Sequence, residues 1–248
     1  MLPWIVLFSV LGSIGVVAGS ALLLFFPESI RKGLIPSLVS YAAGTLLGAA
    51  FLGMIPAGLK QVPAVPVMGT VLAGIVLFFV LEKLVLWRHC HDSDRELHGR
   101  AGPLILIGDA FHNFVDGVVI AAAFLTSIPL GITASLAVIA HEIPQEVGDF
   151  AILLDSGYGR TKALLLNGLS AAATLPGAVI AYFWIGGARE IVPYLLALSA
   201  ASFIYIATAD LIPSLHRQAT ILAPLRQLLL LLAGIGTIAL LHLGAGGP

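Results

Sequence analysis

The sequence predicts an all-α polytopic membrane protein, and its composition and the spacing of its apolar segments are the basis of that prediction. Hydrophobic residues make up 59% of the 248 residues and charged residues only 10%, whereas a soluble domain has roughly 25% charged residues. Apolar segments of about 20 residues recur, each long enough to cross about 30 Å of hydrocarbon. We therefore predict one membrane domain over 1–248 with eight transmembrane helices, at about 4–26, 35–59, 65–87, 103–127, 130–154, 163–185, 191–213 and 221–243.

Short separators with turn-forming residues divide these segments. They include Pro27-Glu28-Ser29, Pro63 to Pro66, Ser127-Ile128-Pro129 and Gly186-Gly187. The first segment lacks the basic region of a cleaved signal peptide, so we expect it to remain as helix 1. In helix 2, Gly44, Gly48 and Gly53 are four and five residues apart, which predicts a face packed closely on another helix.

The longest separator, 88–102, is predicted to join helices 3 and 4. It is rich in possible metal ligands, namely His89, Cys90, His91, Asp92, Asp94, Glu96 and His98. Imidazole, thiolate and carboxylate groups together suit a soft-to-borderline metal, although a charged loop is more often simply solvated. Cys90 is the only cysteine, which excludes an intrachain disulfide and a site made of cysteines alone.

Basic residues predict the orientation of the chain, because Lys and Arg in short loops are retained on the cytoplasmic side. With the N-terminus outside, only Lys60 and Arg189 lie on the outer side. The ten basic residues at cytoplasmic ends are then Arg31, Lys32, Lys83, Arg88, Arg95, Arg100, Arg160, Lys162, Arg217 and Arg226. We expect the chain to lie in a cell membrane, namely the bacterial inner membrane. Both termini are expected on its exterior or periplasmic side. The net charge of −1 gives no reason to expect a nucleic acid partner.

Helices 4 and 5 hold far more acid than a membrane tolerates without a counter-charge. No Lys or Arg occurs between Arg100 and Arg160. Five acids in this interval fall well inside the predicted helices: Asp109, Asp116, Glu142, Glu146 and Asp149. Unpaired, they would cost on the order of 10 kcal/mol at about 2.5–3.5 kcal/mol each near the bilayer centre. Protons or a bound metal cation are therefore expected to neutralise them.

The spacing of the polar residues predicts a metal site. Residues four apart share a helix face, so His112 lies beside Asp116, and His141 lies beside Gln145. Two imidazoles, one carboxylate and one amide form a set that suits zinc and also serves iron, manganese or cadmium. Residues one position further along, Asn113 and Glu142, are placed to build a second, adjacent site, with Asp116 or Gln145 bridging.

Residues flanking these ligands receive weaker assignments. Asp109, Glu146 and Asp149 are candidates for partners that orient an imidazole, proton carriers or residues that attract cations. Asp210, near the cytoplasmic end of helix 7, is either part of an exit path or a structural acid. In helix 6, Asn167, Ser170 and Thr174 form one stripe, which favours polar contacts between helices over ligand roles. Two glycines, Gly117 and Gly148, are expected to permit close helix contact.

The motifs of helices 4 and 5 resemble those of the ZIP (Zrt/Irt-like) family of metal transporters. His112-Asn113-Phe-Val-Asp116-Gly117 is similar to the HNxxDG of that family, and the segment from His141 to Asp149 is similar to the HEIPHELGD of its mammalian zinc-importer branch. The resemblance implies a transport bundle of helices 1, 4, 5 and 6. The other helices, 2, 3, 7 and 8, would form a scaffold able to make a homodimer.

By this resemblance, the first metal site consists of His112, Asp116, His141 and Gln145, and the second of Asn113, Glu142 and members shared with the first. The sequence departs from the family pattern at Gln145, where relatives have His or Glu. It also departs in helix 2, where Ala50 and Gly53 replace Asp and His, and near Thr174, which lacks the acid of some relatives.

These features predict a secondary transporter that moves a divalent cation into the cytoplasm by alternating access. Zinc is the expected cargo, with cadmium, iron and manganese as alternatives. One alternative from another class is an intramembrane zinc-dependent hydrolase, because His141-Glu142-Ile-Pro144-Gln145 resembles HExxH without its last His. A cation or proton channel that uses the same acids is the other alternative. The sequence has no Walker-type glycine loop.

Overall fold

The described part of the chain is built almost entirely from helices. The computed structural model describes residues 1–24, 26–90, 97–186, 189–216 and 223–244. In these residues there is no strand, and the all-α prediction is confirmed. The described residues form eight helical rods: helix 1 (2–24), helix 2 (28–59), helix 3 (Ala64–Cys90), helix 4 (Leu97–Thr126), helix 5 (Ile128–Asp155), helix 6 (160–186), helix 7 (189–216) and helix 8 (Ala223–Gly244).

Several helices extend beyond the apolar segments that predicted them. Helix 2 begins at Glu28, ahead of its apolar part, and helix 4 begins at Leu97. Backbone hydrogen bonds hold a helix together in water as well as in hydrocarbon, so charged residues can extend it. The predicted loop over 88–102 is therefore helical at both ends. Its centre, 91–96, lies outside the described residues, as do the side chains of His89, Cys90 and His98, so metal capture there stays a prediction.

Length and composition support membrane spanning. Among the described residues, seven helices are long and apolar enough to cross a bilayer, and helix 5 is not one of them. Helix 5 is the helix that contains His141, Glu142, Gln145 and Glu146. Large apolar side chains are exposed on the outside of the bundle, among them Val65, Leu72, Phe183, Trp184 and Leu240. Such a surface suits contact with lipid, and the chain forms an integral membrane protein.

The helices pack in two groups. Helix 4 contacts helices 5 and 6, and helix 1 contacts the same two helices. In the second group, helix 2 packs on helices 7 and 8, and helix 3 packs on helix 7. Contacts of helix 5 with helices 2 and 8, and of helix 4 with helix 7, join the groups. This packing follows the predicted division into helices 1, 4, 5 and 6 and helices 2, 3, 7 and 8.

Glycines bring helices 4 and 6 into backbone contact. A Cβ on Gly117 would overlap the carbonyl oxygen of Thr174, and a Cβ on Gly177 would overlap the carbonyl oxygen of Phe114. Only glycine permits so close an approach. Helix 6 is interrupted between Ala171 and Thr174, so Thr174 begins the half that packs on Gly117.

Helices 2 and 8 meet in the same way. A Cβ on Gly44 would overlap the Leu231 carbonyl oxygen, and a Cβ on Gly234 would overlap the Tyr41 carbonyl oxygen. The predicted close-packing face of helix 2 is thus confirmed at Gly44. The prediction for Gly148 is wrong, because the space beside this glycine is open. Gly148 lies on a face of helix 5 against which the described residues place no neighbour.

Replacing Gly117 with alanine should destabilise the bundle. The added methyl group meets backbone atoms, which cannot move aside, and overpacking of this kind costs about 1–3 kcal/mol. We expect Gly117→Ala to lower the midpoint of thermal unfolding of the purified protein in detergent. Gly108→Ala is the matched control on the same helix, because no atom lies near its added Cβ. Equal midpoints for the two variants would contradict the backbone contact.

Candidate metal centre

Helices 4 and 5 bring four possible metal ligands together inside the bundle. Helix 4 contributes His112 and Asp116, one turn apart, and helix 5 contributes the adjacent His141 and Glu142. One ligand atom from each residue lies within 4.8 Å of the ligand atoms of the other three. Asp116, His141 and Glu142 are buried, whereas the His112 side chain is 23% exposed. These four residues form what we call the histidine cluster.

Distances within the histidine cluster match those between ligands of one small cation. The two Nε2 atoms of His112 and His141 are 3.2 Å apart. Glu142 Oε1 lies 3.3 Å from His112 Nε2 and 3.5 Å from His141 Nε2. Asp116 Oδ2 lies 3.3 Å from His141 Nε2 and 3.9 Å from His112 Nε2. Four ligands at about 2.0–2.2 Å from a tetrahedral zinc ion are roughly 3.3–3.6 Å apart, so the cluster fits such an ion.

His141 is held in an orientation that suits metal binding. Its Nδ1–H donates to the carbonyl oxygen of Ala137 at 3.0 Å, one turn earlier in helix 5. In the neutral ring this bond leaves the Nε2 lone pair facing the cluster. The ring of Phe203, from helix 7, packs edge-on against His141, with 6.0 Å between ring centroids. A hydrogen bond and an aromatic contact therefore both fix the imidazole.

The carboxylates of the histidine cluster lack compensating donors. Both oxygens of Asp116 and both oxygens of Glu142 are buried without a hydrogen-bond partner among the described residues. A buried anion is costly unless it is paired or binds a metal. No Lys or Arg occurs between Arg100 and Arg160, so the parts of helices 4 and 5 that carry the cluster offer no ammonium or guanidinium group. A divalent cation held by these oxygens and the two imidazoles would balance two negative charges.

Asp109 is satisfied in a different way, by hydrogen bonds. Its carboxylate accepts from Asn113 Nδ2 at 3.0 Å, from Gln145 Nε2 at 3.2 Å and from the hydroxyl of Ser170. These bonds connect helices 4, 5 and 6. Asp109 is thus an acceptor at the centre of a network of amide and hydroxyl groups. None of these three bonds goes to an imidazole, and the roles suggested by the sequence stay predictions.

The structure places Gln145, Asn113 and Glu142 in different groups from those that the sequence predicts. The sequence predicts Gln145 in the first site and Asn113 in the second, but both amides donate to Asp109. The Asn113 carbonyl oxygen in turn accepts from Thr174 Oγ1 at 3.1 Å. Glu142, assigned to the second site, instead lies with the two histidines. Helical spacing places residues on a face, but the hydrogen bonds available there decide where an amide points.

The polar stripe of helix 6 bonds to its neighbours, as the sequence predicts. Thr174 donates to Asn113, and Ser170 also donates to the Leu106 carbonyl oxygen at 3.1 Å. Asn167 Nδ2 donates to the backbone carbonyl of Glu146 at 3.2 Å. Helix 6 therefore supports the residues around the histidine cluster through hydrogen bonds and contributes none of its four ligand atoms.

Three further acids occupy different environments. Glu146 is fully buried one turn beyond Glu142, whereas Asp149 is half-buried and Asp210 is exposed. One oxygen each of Asp109, Glu142 and Glu146 lies within 4.8 Å of the others. This second group, the acidic cluster, shares Glu142 with the histidine cluster. Sequence analysis assigns Glu146 only a flanking role, although its position one turn from Glu142 puts it on the same helix face.

Together, the fold and these residues define an integral membrane protein built around a buried set of imidazole and carboxylate groups. Comparison with known proteins identifies the class further. Residues 88–242 match the family described as ZIP Zinc transporter. This match covers more than half of the chain and includes both clusters, and the chain belongs to the ZIP family.

Individual relatives carry the same description. The chain is 35% identical over 225 residues to zinc transporter ZIP13 of Pongo abelii, covering 84% of this chain and 67% of the relative. It is 30% identical over 300 residues to zinc transporter SLC39A7 of Mus musculus, covering 85% and 63%. Over 135 residues it is 39% identical to human zinc transporter ZIP4, covering 54% and 20%. The chain thus spans about two thirds of the length of the first two relatives.

These relatives are named as transporters, which disfavours the hydrolase alternative. The geometry agrees, because Gln145, at the position of the last His of HExxH, directs its amide to Asp109. The three relatives come from mammals, and they do not test the expected bacterial inner membrane. That location and the homodimer stay predictions.

Removing the Asp116 carboxylate should abolish stabilisation by zinc. A ligand present at 100 times its Kd stabilises the folded state by about 2.7 kcal/mol, and we expect zinc to raise the thermal unfolding midpoint of the metal-free protein accordingly. Asp116→Asn should lose this increase, because it removes one anionic ligand without changing the side-chain volume. Asp149→Asn, an equivalent change outside both clusters, should keep it. An undiminished increase in Asp116→Asn would exclude Asp116 as a ligand.

Proposed function

We propose that this chain carries divalent transition-metal cations, zinc first among them, across the membrane into the cytoplasm by alternating access. The observation that supports this proposal most directly is the histidine cluster. Five of the six separations between its four ligand atoms are 3.2–3.9 Å, and the oxygens of its carboxylates lack hydrogen-bond partners among the described residues. Membership of the ZIP family supports the same cargo.

The ligand set favours borderline metals. Two imidazole nitrogens and two carboxylate oxygens are a donor set that zinc accepts in tetrahedral geometry. Iron, manganese and cadmium ions also bind nitrogen and oxygen donors, and we include them as alternative cargo. Magnesium is disfavoured, because it prefers six oxygen ligands, several of them waters.

Access to the histidine cluster is unequal from its two sides. Beyond Asp116, towards the end of helix 4, every residue from Val119 to Phe124 is buried. The His112 side chain, in contrast, is 23% exposed. A carrier that exposes its site to one side at a time has this asymmetry, whereas an open channel needs a continuous path. This asymmetry supports alternating access.

Uptake by proteoliposomes tests the proposal. We expect saturable zinc uptake by the unmodified protein and at least a tenfold lower rate in His112→Ala and in His141→Ala, because each loses one of four ligands. His242→Ala, a histidine that the sequence places at the far end of helix 8, is the control. Unchanged saturable uptake in both cluster variants would reject the site.

Kinetics distinguish a carrier from a channel with the same residues. A carrier saturates with zinc and turns over slowly, because each ion requires a conformational cycle. Flux that rises linearly with zinc concentration and responds to voltage as a pore current would favour the channel. Cleavage of a peptide or lipid by the purified protein, without zinc flux, would favour the hydrolase.

The orientation is part of the same proposal, and cysteine labelling tests it. Lys60 and Arg160 are both exposed, and the basic-residue pattern assigns them to opposite sides of the membrane. In a Cys90→Ser background, a membrane-impermeant maleimide added to intact cells should label Lys60→Cys and should label Arg160→Cys only after the cells are opened. The reverse pattern would invert the direction proposed for transport.

A further inference from the structure

Phe203 contacts the histidine cluster from the other group of helices. It lies on helix 7, which packs with helices 2 and 3, whereas the four ligands of the cluster lie on helices 4 and 5. The Phe203 side chain is fully buried, and its ring centroid lies 6.0 Å from that of His141, with 62° between the ring planes. Tilted rings with centroids about 4.5–7 Å apart are a favoured aromatic pair. One ligand of the cluster is therefore in contact with the group that supplies none of the four.

The two restraints on His141 differ in what happens when the groups move. The Nδ1–H of His141 donates to the carbonyl oxygen of Ala137, which lies on the same helix and moves with it. The ring of Phe203 belongs to helix 7 and does not move with helix 5. A shift of a few ångströms between helices 5 and 7 takes the ring centroids beyond about 7 Å, the outer limit for such pairs. The aromatic contact therefore depends on the relative position of the two groups, whereas the hydrogen bond does not.

Packing within its own group holds Phe203 in place. The segment Val192–Tyr205 of helix 7 packs on helix 3 and on residues Ala49–Met54 of helix 2. Gly74 of helix 3 approaches helix 7 so closely that an added Cβ would lie 2.6 Å from the Cβ of Ala201. The position of Phe203 is thus set chiefly by helices 2 and 3.

We propose that Phe203 is a positioning residue that couples the metal affinity of the histidine cluster to the relative position of the two helix groups. This inference rests on the proposed function, because it concerns the access states of the same carrier. In the arrangement that the structure describes, the ring restricts rotation of the His141 imidazole, so that Nε2 stays directed at the cation. Movement of helices 4 and 5 away from helix 7 removes this restraint, and the cation is then held less tightly.

Thermodynamic linkage gives the contact a role in transport. A cation bound to His141 and the ring of Phe203 favour the same orientation of one imidazole, so each stabilises the other. A bound cation therefore shifts the two groups towards the described arrangement. In that arrangement every residue from Val119 to Phe124, between the cluster and the end of helix 4 assigned to the outside, is buried. Loading of the cluster thus favours closure on the side from which the proposed cargo enters.

Cobalt binding tests the contact in the purified full chain, because Co²⁺ accepts the same donors as zinc and absorbs visible light strongly in tetrahedral sites. Phe203→Leu removes the ring but keeps an apolar side chain. We expect it to weaken Co²⁺ binding roughly threefold to tenfold, the effect of losing one aromatic pair. Phe124→Leu is the matched control and should leave binding unchanged, because Phe124 is also fully buried and its ring pairs with Phe8. Unchanged Co²⁺ affinity in folded Phe203→Leu, or in Phe203→Met if the leucine variant does not fold, would overturn the proposal.

A double-mutant cycle shows whether the ring acts through His141. In a His141→Ala background, Phe203→Leu should have no further effect on Co²⁺ binding, because the imidazole that it positions is absent. Equal weakening with and without His141 would indicate a general loss of packing and would overturn the positioning role. If His141→Ala itself leaves Co²⁺ binding unchanged, the metal site of the proposed function fails instead.

Thiol reactivity tests the coupling to movement. Thr133 of helix 5 is fully buried, and its Cγ2 lies 3.7 Å from the position of a Cβ on Gly53 of helix 2. In a Cys90→Ser background, zinc should slow the reaction of Thr133→Cys with a membrane-impermeant thiosulfonate at least threefold, because it favours the described arrangement. Adding Phe203→Leu should at least halve this protection. Adding Phe124→Leu instead should leave it intact.

Two results of the thiol measurement would overturn the coupling. One is an absence of zinc protection in Thr133→Cys, and the other is undiminished protection after addition of Phe203→Leu. Zinc uptake by the unmodified protein is a separate measurement. If that uptake does not saturate, the proposed function fails, and the cobalt cycle still decides whether Phe203 positions His141.

Discussion

The rest of the structure depends on a concentration of negative charge within a bundle of apolar helices. Asp116 and Glu142 are buried beside two imidazoles, and their oxygens lack hydrogen-bond donors among the described residues. An arrangement of this kind is unfavourable by itself, so it persists only because the surrounding packing is rigid and a cation can stabilise it. The bond from His141 to Ala137 and the ring of Phe203 show how the bundle holds this geometry.

The acids near the centre are stabilised in two different ways. Asp109 accepts hydrogen bonds from three side chains on three helices, so its charge is compensated within the protein. Asp116, Glu142 and Glu146 have no such donors among the described residues. Only the second kind of acid has a strong reason to bind a passing ion. An acid that accepts hydrogen bonds from amide side chains therefore has its charge compensated within the protein, whereas an acid without such bonds is available to bind the transported ion.

Much of the fold and part of the site could be predicted from the sequence. Long apolar segments determine membrane helices, and i, i+4 spacing correctly placed His112 beside Asp116. The direction of the Gln145 amide could not be predicted, because it depends on Asp109 and Ser170 from two other helices. The prediction of close helix contact at Gly148 was wrong for a similar reason. A small residue permits close packing, but it does not supply the neighbouring helix.

The glycine contacts have a mechanical consequence. At Gly117 and Gly177 the backbones of helices 4 and 6 touch directly, and at Gly44 and Gly234 those of helices 2 and 8 do the same. Backbone atoms interlocked in this way cannot slide past one another without a clash. Each helix pair is therefore a stiff unit, and a shift of helix 4 carries helix 6, with Ser170 and Thr174, along with it. Relative movement of the two groups must therefore occur at the side-chain contacts between them, which include those of helix 5 with helices 2 and 8 and of helix 4 with helix 7.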